Sequence, residues 1–260
     1  MTDVRLAHGG PPKALQAALS PSKVACSHYV KPSVLVSYVY LKAFLSQLPG
    51  YDIREWVMDS GAYSAHNTGT VVTNQGLIDT AKSLRDQLQQ PPVEVFALDV
   101  IGNWRAGVKN CEQAWKQGVQ AIPCYHVGDP PALLKSLARD YPKIALGGSV
   151  GYSRKLDWAR ACFDRVWPAK IHGFGYGGRK SILALPWHTV DATNWELGPT
   201  KFGSWKTYGK MSVRGGSHNL RPEVAWYMRL ETAAKFKWRA EMAELEAATK
   251  PPCARQVGSP

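Results

Sequence analysis

Two carboxylates stand where they can act on a substrate: Asp59 in Met58-Asp59-Ser60-Gly61-Ala62-Tyr63-Ser64, and Asp191 in Thr189-Val190-Asp191-Ala192-Thr193-Asn194-Trp195. Each closes a short apolar run that reads as a strand, and small, turn-forming residues follow it. Two acids brought into one pocket can divide the work of a substitution at carbon. One attacks as a nucleophile while the other gives and takes protons.

Other strand ends carry chemistry too. Asp99 closes the run 93–99, and His126 closes 121–126. Gly147-Gly148-Ser149 follows 143–147, and Gly173-Phe174-Gly175-Tyr176-Gly177-Gly178 follows 170–173. A single Asp at a strand end is ordinarily a helix cap or a turn former. Three Asp, one His and two glycine runs at six consecutive ends point instead to a shared mouth. Glycines there let a flat ligand approach the backbone. Asp99 can accept two N–H bonds from such a ligand, and Tyr63 and Phe174 can stack on its faces. Together these describe a pocket for a purine-like base.

The elements that must position these residues alternate between strand and helix. Strands are predicted at 34–40, 56–59, 93–99, 121–126, 143–147, 170–173 and 189–191, with a weaker eighth within 202–213. Helical patterns occupy 77–89, 111–117, 131–140 and 156–166. This alternation in 260 residues predicts an α/β protein built as a (β/α)8 TIM barrel, with an open doubly wound sheet as the rival. The segment 222–249 reads as a C-terminal amphipathic helix on the barrel exterior, with Arg229, Lys235, Lys237 and Arg239 as a basic outer face. One barrel domain is expected over 23–249. A loosely ordered segment is expected at 1–22 and a disordered Pro-rich tail at 250–260.

The chain carries a net charge of +12, with 45% hydrophobic residues, ten Trp and eleven Tyr. The basic excess favours a polyanionic partner, and exposed aromatic rings stack on nucleobases. Five cysteines, Cys26, Cys111, Cys124, Cys162 and Cys253, are too irregular for a disulfide framework. With no signal sequence and no apolar run of membrane-spanning length, a cytoplasmic protein without membrane contact is expected.

Three motifs are set aside. Gly173-x-Gly175-x-x-Gly178 fits a dinucleotide fingerprint but lacks the acidic residue about 20 positions on. Arg179 breaks a phosphate-loop match over 173–181. Cys26-x-His28 and Cys124-x-His126 lack the spacing of structural zinc ligands, so no metal is expected.

Taken together, these residues resemble the tRNA-guanine transglycosylase superfamily, and within it the 7-deazaguanine DNA transglycosylases of bacteria and phages. The resemblance spans roughly 34–195. Asp-Ser-Gly-Ala-Tyr is similar to the family's Asp-Ser-Gly-Gly-aromatic motif. His-Gly-Phe-Gly-Tyr-Gly followed by Thr-Val-Asp is similar to its glycine-rich strand end and nucleophile motif. The resemblance implies Asp191 as nucleophile and Asp59 as general acid/base. It implies that Asp99 reads the Watson–Crick edge of the base, beside Ser60, Gly61 and the backbone of Gly147, Gly148 and Gly175. Tyr63 and Phe174 would stack, and His126 falls where the tRNA enzymes carry a base-binding Gln.

The expected activity is replacement of guanine in DNA by a 7-deazaguanine through a covalent aspartyl–sugar intermediate, a pentosyl transfer acting on a flipped base. The expected partners are DNA and a free 7-deazaguanine base such as a queuosine precursor, with no other cofactor. The cysteine-rich zinc motif of the tRNA enzymes is missing beyond Asp191, where only Cys253 remains, so zinc is not implied and DNA is favoured over tRNA. Arg179, Lys180, Lys206, Lys210 and Arg214 are the candidates for phosphate contact around the mouth, with Gly215-Gly216-Ser217 beside Arg214 able to form an anion nest. A tRNA-directed enzyme, a non-catalytic DNA-binding barrel and an unrelated barrel glycosidase remain as alternatives. Oligomeric state and the identity of the inserted base stay open.

Overall fold

A computed structural model of the protein describes residues 3–8, 19, 31–207, 209–210 and 220–248. Seven parallel strands form one sheet in the order β3-β2-β1-β7-β6-β5-β4. They are β1 (Asp3–His8), β2 (Ser33–Ser37), β3 (Glu55–Asp59), β4 (Cys124–His126), β5 (Ile144–Gly147), β6 (Ile171–Gly173) and β7 (Thr189–Ala192).

The two sheet edges meet through an eighth segment. Met58 of β3 pairs in parallel with Val95, and Phe96 pairs in parallel with Ile122 just before β4. Backbone bonds of 2.9 Å from Val93 N to Trp56 O and from Phe96 N to Met58 O hold one side. Bonds of 2.8 Å from Ile122 N to Val95 O and 2.9 Å from Ala97 N to Ile122 O hold the other. The ring is therefore a closed eight-stranded parallel barrel, which leaves no open sheet edge.

Alternation along each strand divides the residues between two cores. Inward positions carry Ala7, Leu35, Val57, Phe96, Ile122 and Ala145 as an apolar layer inside the barrel. Outward positions such as Val34, Trp56, Leu146 and Val190 join a larger cluster under the helices. Below the inner layer, Glu94 bridges two buried cations, with Arg5 at 2.6 Å and Lys143 at 2.8 Å.

Helices α1 (Leu41–Leu45), α2 (Ala62–Thr68), α3 (Asn74–Gln87), α4 (Trp104–Lys116), α5 (Pro131–Asp140), α6 (Lys155–Val166), α7 (Arg179–Ile182) and α8 (Asn194–Phe202) follow strands around the ring. Thr73 and Asn103 cap α3 and α4 through side-chain oxygens that accept from Gly76 N and Ala106 N, the usual solution for unpaired first-turn amides. Pro131 opens α5.

Three sequence expectations change. The eighth strand of the ring is β1, inside a stretch expected to be loosely ordered, and it pairs with both β2 and β7. The described residues of 202–213 hold no barrel strand but a small antiparallel hairpin, β8 (Ser204–Trp205) with β9 (Gly209–Lys210). The C-terminal helix is two helices, α9 (Arg221–Lys237) and α10 (Arg239–Ala248), separated at Trp238.

The basic face expected on that helix is partly spent on internal contacts. Lys235 lies 2.7 Å from both Asp3 and Glu231, and Lys237 donates to Leu183 O at 2.7 Å. Buried Glu231 accepts from Val4 N at 2.8 Å and from Arg54 at 3.0 Å. That locks α9 across the foot of β1 and β3. Glu223 accepts from Lys206 N and Thr207 N at 2.9 Å, which ties the hairpin to the same helix.

Candidate active site

Six of the residues singled out in the sequence lie at the C-terminal ends of barrel strands, the end where parallel barrels present their chemistry. Asp59 ends β3, Asp191 sits in β7, His126 ends β4 and Gly147 ends β5. Phe174 directly follows β6, and Asp99 follows the bridging segment.

Asp59 is held by the turn after its own strand. Gly61 N donates to Asp59 Oδ2 at 3.1 Å. Gly61 adopts φ +76°, and a Cβ there would come to 3.0 Å from Ser37 Oγ, so both conformation and space call for glycine. Burial, reinforced by the nearby charge of Asp99 and then of Asp191, pushes the Asp59 carboxyl up to about 7. It is thus poised to exchange a proton near neutrality.

Asp191 is buried, and Gly175 N donates to its Oδ1 at 2.6 Å. Burial raises its pKa to about 6. The Gly175 amide, and the charges of Lys155 and Arg5, pull the other way. Lys155 Nζ also donates to Gly175 O at 2.9 Å, bracing the loop that supplies the amide. The two acids therefore sit in different surroundings. Both accept a backbone amide, but Asp59 has the carboxylates of Asp99 and Asp191 near it, whereas Asp191 has the cations of Lys155 and Arg5.

Under Asp191 lies His172, fully buried. Its Nδ1 is 2.8 Å from Thr189 Oγ1 and its Nε2 is 3.8 Å from Asp191 Oδ1. Burial, with Lys143 and Arg5 nearby, holds its pKa well below the ordinary imidazole value, so it stays neutral. Phe174 packs on this imidazole with centroids 4.5 Å apart, and on Phe96 at 4.8 Å.

Across the mouth, Asp99 is gripped from two sides. Ser60 Oγ donates to its Oδ1 at 3.3 Å, and His126 Nε2 lies 2.9 Å from its Oδ2. Asp129 Oδ2 accepts from the His126 backbone N–H at 2.8 Å and lies 3.5 Å from the ring Nδ1. Burial opposes the imidazolium, but Cys124 and the bonded Asp99 outweigh it, and the His126 pKa is raised.

The glycines divide. Gly147 and Gly148 lie against His126. A Cβ on Gly148 would meet His126 Cβ at 3.1 Å, and one on Gly147 would meet Cys124 Sγ at 2.7 Å. Gly175, expected among the base-binding residues, adopts φ +73° and donates its amide to Asp191. Tyr63 stands 60% exposed on the first turn of α2, a rim position.

Among the expected phosphate contacts, Arg179 and Lys180 are exposed on α7, and Lys206 is exposed between β8 and β9. The side chain of Lys210, together with Arg214 and Gly215-Gly216-Ser217, lies outside the described residues, as do Cys26, His28 and Cys253. Sequence reasoning missed Lys155, Asp129 and the placement of His172. Nothing local marks the first two. A His two residues before Phe174 on an inward strand position was the available sign for the third.

No family model matches the chain, and no curated protein matches it. Among solved structures it is similar to mutant forms of the tryptophan synthase α-subunit from the hyperthermophile Pyrococcus furiosus. One matches with a TM-score of 0.45 at 12% identity, over 91% of this chain and 97% of that one. A second matches with a TM-score of 0.45 at 11% identity, over 92% and 97%. Likeness at that level carries no argument about the site. The barrel rests on the strand pairing itself.

Proposed function

We propose that this chain is a base-exchange enzyme that replaces guanine in DNA with a 7-deazaguanine. One observation carries the reading: two mouth carboxylates, both raised by burial but with different charged neighbours, stand at strand ends of the same barrel mouth as Asp99, His126, Gly147 and Phe174. A pair of acids whose environments set them apart is the usual basis for separate nucleophile and acid/base roles.

In this mechanism a guanine nucleotide is flipped into the mouth. Asp191 attacks C1′ of the deoxyribose, the C1′–N9 bond breaks, and guanine leaves with a proton taken up from Asp59. The sugar is now an ester of Asp191, as in a retaining glycosidase. Guanine departs and the 7-deazaguanine enters against Asp99. Asp59, now a carboxylate, removes the proton from the ring nitrogen, which attacks C1′ and expels Asp191. Two inversions restore the original configuration. The hydrogen bond from Gly175 N holds Asp191 in its ionised, attacking form. His126 Nε2, 2.9 Å from Asp99 Oδ2, fixes the carboxylate that meets the base edge.

The test is an exchange assay. DNA with labelled guanine is incubated with the protein and a panel of unlabelled 7-deazaguanines, and tRNA is run in parallel. Release of label from DNA that requires an added base is expected, with Asp191→Asn inactive yet still able to bind DNA. Label release from tRNA alone would transfer the reading to the RNA substrate. Normal turnover by Asp191→Asn would remove the nucleophile assignment.

A further inference from the structure

Cys124 and His126 are two residues apart on β4, so both side chains face the same side of the strand. Asp99 meets them from the neighbouring position in the ring. Cys124 Sγ, a ring nitrogen of His126 and a carboxylate oxygen of Asp99 all lie within 4.8 Å of one another. From this geometry we infer that the three residues form a binding site for a borderline-soft divalent transition metal, zinc above all, which the proposed base exchange does not use.

The donor set is the first support. Thiolate, imidazole and carboxylate are each ordinary zinc ligands, at bonds of about 2.0–2.3 Å, so closing in on one ion takes only small side-chain movements. Three protein ligands leave a fourth position for water or an outside donor, the pattern of an open site rather than a purely structural one.

Independent support comes from what surrounds the donors. Asp129 Oδ2 lies 3.5 Å from His126 Nδ1 and accepts from His126 N at 2.8 Å. A carboxylate behind the ring is how metal-ligating imidazoles are aimed and made more basic. Ser60 Oγ steadies Asp99 at 3.3 Å. Gly147 leaves the thiol its room, since a Cβ there would stand 2.7 Å from Cys124 Sγ. A cavity walled by Trp104, Val108 and Pro123 adjoins all three donors.

On binding, the metal takes the lone pairs of Sγ, Nε2 and an Asp99 oxygen. The thiol proton and the proton now lying between Nε2 and Asp99 pass to solvent, leaving Nδ1–H for Asp129. The sequence pattern gave no hint of this third ligand, because Asp99 comes from another strand. The inference stands apart from base exchange. Where both hold, metal and base contend for Asp99 and His126, and zinc acts as an inhibitor.

Cobalt(II) is the probe, added to the chelator-treated full chain and followed by absorption. A thiolate-to-cobalt charge-transfer band is expected, displaced by zinc and absent in Cys124→Ser. Asp129→Asn is expected to weaken cobalt binding about tenfold. Gly147→Ala keeps every ligand and is expected to weaken it as well, with thermal melting confirming that both variants fold. No band in the wild type, or a band that survives Cys124→Ser, overturns the site. Unaltered affinity in both Asp129→Asn and Gly147→Ala overturns its proposed support. Base exchange is read separately by label release, so either idea can fail alone.

Discussion

Asp59 and Asp191 are costly residues to fold around. Each carries a carboxyl that burial drives upward, to about 7 and about 6. An acid with a raised folded pKa holds its proton longer in the folded state than in the unfolded one. Its stability contribution is therefore fully present below pH 3.8, the unfolded value, and is lost as pH rises through the folded value. Asp59 is the stronger case, because Asp99 and Asp191 both face it. Asp59→Asn is expected to match the wild type near pH 4 and to exceed it by roughly 2–4 kcal/mol above pH 7. Urea unfolding of both proteins across that range reads the difference. A gap independent of pH would mean that the Asp59 carboxyl is not the titrating group.

At the scale of elements, the barrel is closed from outside as well as by its own ladder. Helix α9 reaches past its neighbours to the foot of β1, where Glu231, 2% exposed, accepts from Val4 N and pairs with Arg54 and Lys235. Removing its carboxylate leaves the Val4 amide without its acceptor and strips the partly buried Arg54 and Lys235 of one of their two carboxylate partners, Asp3 remaining as the other. Glu231→Ala is expected to destabilise the protein by about 3 kcal/mol, measured as a lowered urea midpoint. Because the site lies at the other end of the strands, label release per folded molecule should be unchanged. An unaltered midpoint would show that α9 does not brace β1.

For the whole molecule, the +12 charge bears on partners rather than on the fold. Exposed Arg179, Lys180 and Lys206 sit on loops and short elements that follow β6 and β7, beside the strands that carry Phe174 and Asp191. If they track phosphates, DNA affinity falls steeply with salt. Arg179→Ala with Lys180→Ala is then expected to lower the slope of log affinity against log salt by about 2. An unchanged slope would place the phosphate contacts elsewhere. No helix among the described residues is long and apolar enough to cross a membrane.

The amino-acid sequence by itself determined the strand and helix alternation and the positions of the acids. Runs such as Val34-Leu35-Val36 and Trp56-Val57-Met58 bury apolar side chains on both faces, and such runs are legible one segment at a time. It also placed Asp59, Asp99, His126 and Asp191 at strand ends, since the turn residues that follow are local too. Tertiary structure alone decided the rest. Strand β1 escaped notice because Arg5 breaks its apolar pattern, and Arg5 is tolerated only because Glu94 meets it from 89 residues away. The hairpin of β8 and β9 is tied to α9 through Glu223, which accepts from Lys206 N and Thr207 N. The Gly175 amide on Asp191, His172 beneath it, and the meeting of Asp99, Cys124 and His126 all depend on ring closure. Spacing along the chain carries no information about which strand ends that closure brings together.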